Sequence, residues 1–270
     1  MRITVIIDNI SADKALSSEH GLSLFVEMNE RKFFFDLGQT DLFLSNAKAL
    51  DIDVESAEFA IISHGHFDHG GGLATFFETN KNAKVLVHKK AFTTVCYSER
   101  LDGKQYIGLA SVLSTNPRIR LVEGTTQIGE DIILFDNVTE QKLFSPANKT
   151  LYIKQGDCFI NDNFRHELNA ILLVGNRRIL LAGCAHCGIV NIMNKAEEIL
   201  GEKITDVFGG MHIRGVEDDD YITQLAKELK NRDCHYYTCH CTSVEGFEKL
   251  KRRLGEQIDY ISCGRVIEIN

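Results

Sequence analysis

The stretch Ser63-His64-Gly65-His66-Phe67-Asp68-His69-Gly70-Gly71-Gly72 directly follows the apolar run Phe59–Ile62. It holds three histidines and one aspartate within six residues, and three consecutive glycines come after them. Imidazole nitrogens and a carboxylate in one small volume are the ligand mixture that zinc and similar divalent metals prefer. The glycines allow a tight turn in which these side chains converge. The sequence therefore predicts a metal centre at the end of a buried strand.

Composition and charge limit the class of protein around this motif. The chain has 270 residues with 44% hydrophobic and 25% charged residues, which is typical of a globular protein with a sizeable core. Its 38 acidic and 30 basic residues give a net charge of −8, which argues against nucleic acid or an anionic membrane as the main partner. No apolar run approaches the roughly 20 residues of a membrane span. Residues 1–8 read as a first strand, not a signal peptide, and we expect a cytoplasmic protein with a small-molecule substrate.

Short strand-type runs come first along the chain, and strands alternate with helices in the last third. The clearest local prediction is a hairpin of Asn169–Val174 and Arg178–Leu181 around the turn Gly175-Asn176. This order favours an α/β (α+β) fold of two packed sheets with helices outside. We expect one domain over residues 1–270, with a less regular, specificity-determining insertion around residues 90–165.

Five of the eight cysteines lie in Cys184-Ala185-His186-Cys187 and in the stretch 234–241. Without an export signal, reduced thiols are expected, and such clusters favour metal chemistry over disulfides. A separate Cys₄ zinc or iron–sulfur site and a thioredoxin-like redox pair are the alternatives. Both clusters also contain a histidine, His186 and His240, which favours one shared centre.

The pattern His-x-His-x-Asp-His after a buried strand resembles the metal-binding motif of the metallo-β-lactamase superfamily. The resemblance extends to residues 19–23, 35–38, 183–191, 209–212 and 240–242, in order along the chain. It is strongest to the branch with the dihydropterin–ribofuranosylaminobenzene phosphate synthase of methanopterin biosynthesis and related bacterial metallohydrolases. The resemblance implies a four-layer αββα sandwich with a two-metal site at the edges of the sheets.

Carried over residue by residue, the resemblance implies two sets of ligands. His64, His66 and His186 would bind the first metal ion, and Asp68, His69 and His240 the second. Zinc is the favoured metal, with manganese and iron as alternatives. His235 and the nearby cysteines are rivals of His240.

The chain departs from the superfamily at one ligand. Most members have a bridging aspartate at the end of the strand that follows the downstream histidine, and here that strand is expected to end in Gly183-Cys184. Cys184 is then a candidate thiolate ligand or a packed residue, and His186 itself or His166-Glu167 are the other candidates.

Three further residues receive roles from their place in these motifs. His212 follows two glycines at a strand end and is a candidate second catalytic residue, which would donate a hydrogen bond to a substrate anion. Asp8 and His20 are expected to orient ligands, not to bind metal directly.

The function implied is that of a dinuclear metal-dependent hydrolase. A metal-bound hydroxide would attack a small anionic ester, phosphoester or lactone, and Asp68 would orient it and move its proton. The alternative is a synthase that condenses a dihydropterin pyrophosphate with an arylamine ribose phosphate. A non-enzymatic metal-binding regulatory module is a third interpretation. The absence of a flavodoxin-like region and the presence of His66 argue against an oxygen-reducing diiron enzyme.

Overall fold

The computed structural model describes residues 1–269 and consists of strands, six helices and short 3₁₀ turns. The strands are Arg2–Ile7 (β1), Ser23–Met28 (β2), Arg31–Phe35 (β3), Phe59–Ile62 (β4), Lys84–His88 (β5), Cys96–Arg100 (β6), Gly103–Tyr106 (β7), Ile119–Val122 (β8), Thr126–Ile128 (β9), Ile132–Phe135 (β10), Leu151–Gln155 (β11), Cys158–Asn161 (β12), Asn169–Val174 (β13), Arg177–Leu181 (β14), Asp206–Gly209 (β15), His235–Thr238 (β16), Ile258–Tyr260 (β17) and Val266–Glu268 (β18). The helices are Leu42–Ala49 (α1), Phe67–Gly70 (α2), Leu73–Thr79 (α3), Ile189–Leu200 (α4), Asp219–Lys230 (α5) and Ser243–Leu254 (α6).

Two seven-stranded sheets form the centre of the molecule. The first has the order β18-β1-β2-β3-β4-β5-β8, and the second has the order β17-β16-β15-β14-β13-β10-β9. In the second sheet β13 and β14 pair as the hairpin that the sequence predicts, with Ala170 opposite Leu181. The strands β3, β4 and β5 are parallel, as are β14, β15 and β16. Parallel strands end at the same edge of a sheet, so the loops after them are brought together.

Three separate apolar cores show that the molecule has four layers. Alternate residues of β3 point to opposite faces of the first sheet: Phe33 and Phe35 join the core between the sheets, and Phe34 joins the core under α1 and α3. A third core packs the second sheet against α4, α5 and α6 through residues such as Leu225 and Leu250. The predicted αββα sandwich is thereby confirmed.

The residues at its two ends explain where helix α5 begins and ends. α5 begins after Asp218, whose side chain accepts a hydrogen bond from the backbone N–H of Tyr221 at 2.9 Å. Two further aspartates occupy its first turn, and Lys227 and Lys230 occupy its last, as the helix dipole favours. No helix within residues 1–269 is long and apolar enough to span a membrane.

The segment 90–165 forms a small separate sheet but also contributes strands to the two central sheets. Its strands β6, β7, β11 and β12 form a separate four-stranded sheet in the order β12-β11-β6-β7. Its other strands extend the central layers, since β8 pairs with β5 and β10 pairs with β13. The small sheet lies beside the edge at which the loops after β4, β14, β15 and β16 meet, since Ser98, Leu151 and His186 line one cavity.

Candidate metal centre

The loop after β4 and the loop after β14 bring three histidines into one cluster. The side chains of His64, His66 and His186 are at most 4% exposed, and their ligand atoms lie within 4.8 Å of one another. His64 Nε2 and His66 Nδ1 face each other at 3.0 Å. These are the residues that the sequence predicts for the first metal ion.

Hydrogen bonds determine which nitrogen of His186 and His64 is free to bind a metal. Asn148 donates its amide N–H to the backbone oxygen of His186, so its Oδ1 accepts from His186 Nδ1 at 3.1 Å. Ser63 donates its hydroxyl to Asp36, so its oxygen accepts from His64 Nδ1 at 2.9 Å. In both rings the proton therefore lies on Nδ1 and the Nε2 lone pair faces the cluster. His186 Nε2 is buried without a hydrogen-bond partner.

A second cluster surrounds Asp68, next to the first. Asp68 Oδ2 lies 3.3 Å from His240 Nε2 and 3.2 Å from His20 Nε2. It also lies 3.8 Å from His69 Nε2. The structure thus brings together the three residues predicted for the second metal ion. It adds His20, which we expected to orient ligands, as a further possible ligand.

Asp36, directly after β3, ties the two clusters together; it lies in the motif at residues 35–38, but no role was predicted for it from the sequence. Its carboxylate is fully buried and accepts from Ser63 N at 2.7 Å and Ser63 Oγ at 2.8 Å. Its Oδ2 also lies 2.6 Å from His69 Nδ1. Asp36 therefore orients His69 directly and His64 through Ser63. Its place after the apolar run Phe33–Phe35 was the available signal.

Two residues directly after β1 hold His240, the last histidine of the centre. Asp8 Oδ1 accepts from the backbone N–H of His240 at 2.6 Å. Asn9 Oδ1, which also accepts from Gly21 N, lies 2.8 Å from His240 Nδ1. His240 Nε2 is consequently the nitrogen that faces Asp68. Asp8 holds the backbone of His240 and does not belong to the ligand clusters, in line with the orienting role expected of it.

Four residues in or next to the centre have a strained backbone conformation. Asp36, Ala185, His212 and His240 have φ values of 61°, 54°, 46° and 49°, which non-glycine residues seldom adopt. Each such residue costs on the order of 1 kcal/mol or more. This cost is one reason to regard the site as functional.

Cys184 lies between the two clusters. Its sulfur is 3.2 Å from His69 Nε2, and it shares a cluster with His64 and His69. The structure corrects its expected position in the topology: Gly183-Cys184 follows β14 and precedes His186, and the strand after His186 is β15. That strand ends at Gly209, and a Cβ on the next residue, Gly210, would lie 2.2 Å from Cys241 Sγ. The thiol of Cys241 thus occupies the space that a side chain at position 210, after β15, would fill.

His166 and Glu167, the other candidates for the missing ligand, have different roles. Gly65 N–H donates to His166 Nδ1 at 3.0 Å, so the ring proton lies on Nε2, which faces Asp162 at 3.0 Å. With both nitrogens used, His166 has no lone pair for a metal. The two oxygens of Glu167 accept from the backbone N–H groups of His186 and Cys187 at 2.6 and 3.0 Å. Glu167 therefore holds the loop of His186 without reaching the centre.

A cavity of about 410 Å³ opens over both clusters. Its lining includes Asp68, His186, His240 and His212. The His212 ring lies 4.2 Å from the His186 ring, and its Nδ1 is buried without a hydrogen-bond partner. His212 therefore lies where a substrate atom would approach the centre. His235 pairs with Asp259 at 2.9 Å and lies outside the centre.

The pKa values within the centre differ by position. Burial lowers the pKa of His64 and His186 well below the ordinary value, and that of His66 to about 3. Burial also lowers the pKa of His69, but the carboxylates of Asp36 and Asp68 outweigh it and raise the value to about 9. The first cluster thus keeps neutral imidazoles, whereas His69 in the second cluster favours the protonated form in the metal-free protein.

The chemistry of these donors fits divalent metal ions. His186 Nε2 is buried without a hydrogen-bond partner beside His64 Nε2 and His66 Nδ1, which is costly unless a cation occupies the space between them. Imidazole, carboxylate and thiol groups are ligands of zinc and neighbouring metals. Each Nδ1 partner described above orients its ring, as is usual for metal-binding histidines.

Comparison with known proteins agrees with this fold. A family model of the metallo-beta-lactamase superfamily matches residues 22–139. A crystal structure of a metal-dependent hydrolase of the beta-lactamase superfamily is 30% identical, with a TM-score of 0.84 and coverage of 100% of this chain and 99% of that chain. The similarity therefore includes every loop that contributes to the centre.

Two further relatives differ in what they share with the chain. The 7,8-dihydropterin-6-methyl-4-(beta-D-ribofuranosyl)-aminobenzene-5'-phosphate synthase of Methanocaldococcus jannaschii is 29% identical, over 93% of this chain and 90% of that protein. Zinc-bound PqqB from Methylobacterium extorquens is only 10% identical but has a TM-score of 0.58 over 100% of both chains. The second likeness concerns the fold alone.

Proposed function

The chain belongs to the metallo-β-lactamase superfamily, and on that premise we propose that it is a metal-dependent hydrolase of a small anionic ester, phosphoester or lactone. The observation that carries the proposal is the pair of donor clusters in the wall of one cavity. His64, His66 and His186 would hold one divalent ion, and Asp68, His69 and His240 the other. Zinc is the first choice for both.

Bound divalent ions would supply Lewis-acid chemistry, which lowers the pKa of water to near 7 and stabilises negative charge on a substrate oxygen. Asp68 would orient the attacking water and carry its proton to the leaving group. Three imidazoles beside Asp68 keep its pKa well below the usual range although burial alone would raise it. His212 would donate a hydrogen bond from its ring to the substrate anion.

A synthase is the second candidate. Two observations favour it: the shape of the cavity and the similarity to the synthase of Methanocaldococcus jannaschii. The cavity over the centre shares Ala147, Thr150, Arg214 and Gly215 with a neighbouring cavity of about 440 Å³. The shared lining makes room for a second reactant next to the first. In that reaction the metal ions would assist departure of pyrophosphate, and water would have to be excluded.

Elemental analysis and a substrate screen test the proposal. We expect close to two transition-metal ions per chain and hydrolysis of at least one phosphodiester, phosphomonoester, lactone or thioester. Protein that contains no metal and takes up none on reconstitution would overturn the metal centre. Full metal content with no hydrolysis, but with condensation of a pterin pyrophosphate and an arylamine, would favour the synthase.

A further inference from the structure

Two arginines, Arg100 and Arg214, line the cavity over the metal centre, although the chain as a whole is acidic. We infer that they recognise a phosphate group of the substrate that lies away from the reacting bond. The inference rests on the proposed function, because it names the class of molecule that the centre acts on.

The alternation of β6 directs Arg100 into the cavity. Ser98 and Arg100 are two residues apart and therefore on one face of the strand, and both line the cavity. Glu99 is on the other face, where it accepts from Lys104 Nζ at 3.0 Å and from Tyr152 OH at 3.1 Å. The nearest carboxylate in sequence is thus turned away from Arg100 and already paired.

Arg214 is anchored through its backbone, and its guanidinium contacts an imidazole but no carboxylate. Its backbone N–H donates to the backbone oxygen of Cys241 at 3.0 Å, next to His240. Its guanidinium Nη1 lies 3.4 Å from Nδ1 of His20, whose Nε2 contacts Asp68. The guanidinium therefore lies one imidazole ring away from the second donor cluster. An anion bound there would lie beside, and not on, the metal positions.

Neither guanidinium is neutralised by the protein. Within residues 1–269, Arg100 and Arg214 have no carboxylate oxygen within 4.0 Å, and neither have five arginines outside the cavity lining, namely Arg118, Arg120, Arg165, Arg252 and Arg265. The six paired arginines are Arg2, Arg31, Arg177, Arg178, Arg232 and Arg253. In the described part of the chain, Asp68 is the sole carboxylate of the cavity lining, and it already contacts imidazoles. The cavity therefore presents two unpaired positive charges.

The number and geometry of these charges favour phosphate over carboxylate. One planar guanidinium already satisfies a carboxylate with two parallel hydrogen bonds. A phosphomonoester carries close to two negative charges at neutral pH and three acceptor oxygens, which suits two guanidiniums. Ser98 and Thr150 add hydroxyl groups to the same lining.

Calorimetric titration of the zinc-loaded protein with ribose 5-phosphate tests the inference, with ribose as the uncharged control. The variants are R100A and R214A, and R252A is the matched control, since Arg252 is exposed on α6 and lies outside the cavity lining. We expect ribose 5-phosphate to bind the wild type and R252A equally, and each cavity variant at least tenfold more weakly. Ribose should bind none of them measurably.

Zinc content and melting temperature are measured on the same four proteins. Neither quantity should differ among the four proteins, so that only the affinity for ribose 5-phosphate reports on the arginines. Wild-type affinity in both R100A and R214A would overturn the inference, because the phosphate would then bind on the metal ions. Failure of the wild type to bind zinc or hydrolyse any ester would instead count against the proposed function.

Discussion

The Asp36→Asn substitution should weaken metal binding at the second position without changing any ligand. Asp36 Oδ2 lies 2.6 Å from His69 Nδ1, which keeps a proton on Nδ1 and leaves Nε2 to the metal. In the variant, the amide oxygen would replace Oδ1 as acceptor for Ser63 N–H. The amide N–H₂ would then face His69 Nδ1 and force the ring proton onto Nε2.

The expected size of the effect follows from the role of such orienting partners. Loss of the partner of a metal-binding histidine typically costs 10–100-fold in metal affinity, or about 1.4–2.7 kcal/mol. We expect that loss at the position of Asp68, His69 and His240. The ion between His64, His66 and His186 should lose less, because Asp36 reaches His64 only through Ser63.

The matched control is Asp136→Asn, because Asp136 pairs with His88 at 2.8 Å in another buried part of the molecule. Both variants should lose similar folding stability, about 1–3 kcal/mol for a disrupted buried hydrogen bond to a charged group. Two-site competition of each protein with a chromogenic chelator for zinc gives the two affinities. Wild-type affinity at both positions in Asp36→Asn would refute the argument from the ring proton.

Three further predictions concern the centre. Asp68→Asn should retain the fold but lose activity about 100-fold or more at saturating metal, since an amide neither carries the charge nor accepts a proton. Steady-state kinetics measures this loss. Because the Cys184 sulfur lies 3.2 Å from His69 Nε2, it should resist alkylation in the metal-loaded protein. Burial raises the pKa of this thiol, so mass-spectrometric mapping should detect its labelling in the metal-free protein at alkaline pH. The metal-free protein should lose stability as the pH falls below about 6.5, by up to about 1.4 kcal/mol per pH unit for each buried neutral histidine, because unfolding lets His64, His66 and His186 take up protons. Denaturant titrations at several pH values measure that slope.

Each of these predictions has a control or a contrary outcome. Equal turnover of Asp68→Asn and the wild type would remove Asp68 from the mechanism. The exposed Cys158 should react in both forms of the protein, and identical labelling of Cys184 in both forms would show that it only packs against the strand end. A free energy of unfolding that is constant between pH 7 and pH 5 would contradict the lowered histidine pKa values.

Local patterns account for the parts of the fold that the sequence predicted. The hairpin of β13 and β14 is specified by apolar strands around a two-residue turn, and the loop after β4 by its own histidines and glycines. The small sheet was only partly predicted, because β6 and β7 contain charged residues without an apolar periodicity. What stabilises these strands is pairing with β11, which comes about 50 residues later and leaves no local signal.

The same difference between local patterns and long-range contacts holds for the metal centre. The histidines and Asp68 were visible because they cluster in sequence, whereas their orienting partners are ordinary polar residues of distant loops. Asn148 reaches His186 over 38 residues, and Asp36 reaches His69 over 33. Nothing within a short window separates such residues from those of any turn. The tautomers of the rings, and hence the free nitrogens, became clear only from these contacts.

The hydrogen bond between Asn9 and His240 joins residues that are 231 positions apart. During synthesis on the ribosome, His64, His66 and His69 emerge long before His240, and they would meet soluble metal ions as an incomplete set of donors. The second donor cluster is complete only when the first strand and the loop after β16 have docked. On the proposed assignment of ligands, the second position can bind a metal ion tightly only after His240 has joined the fold, and a nascent chain stalled before residue 240 should hold an ion there far more weakly than the released protein.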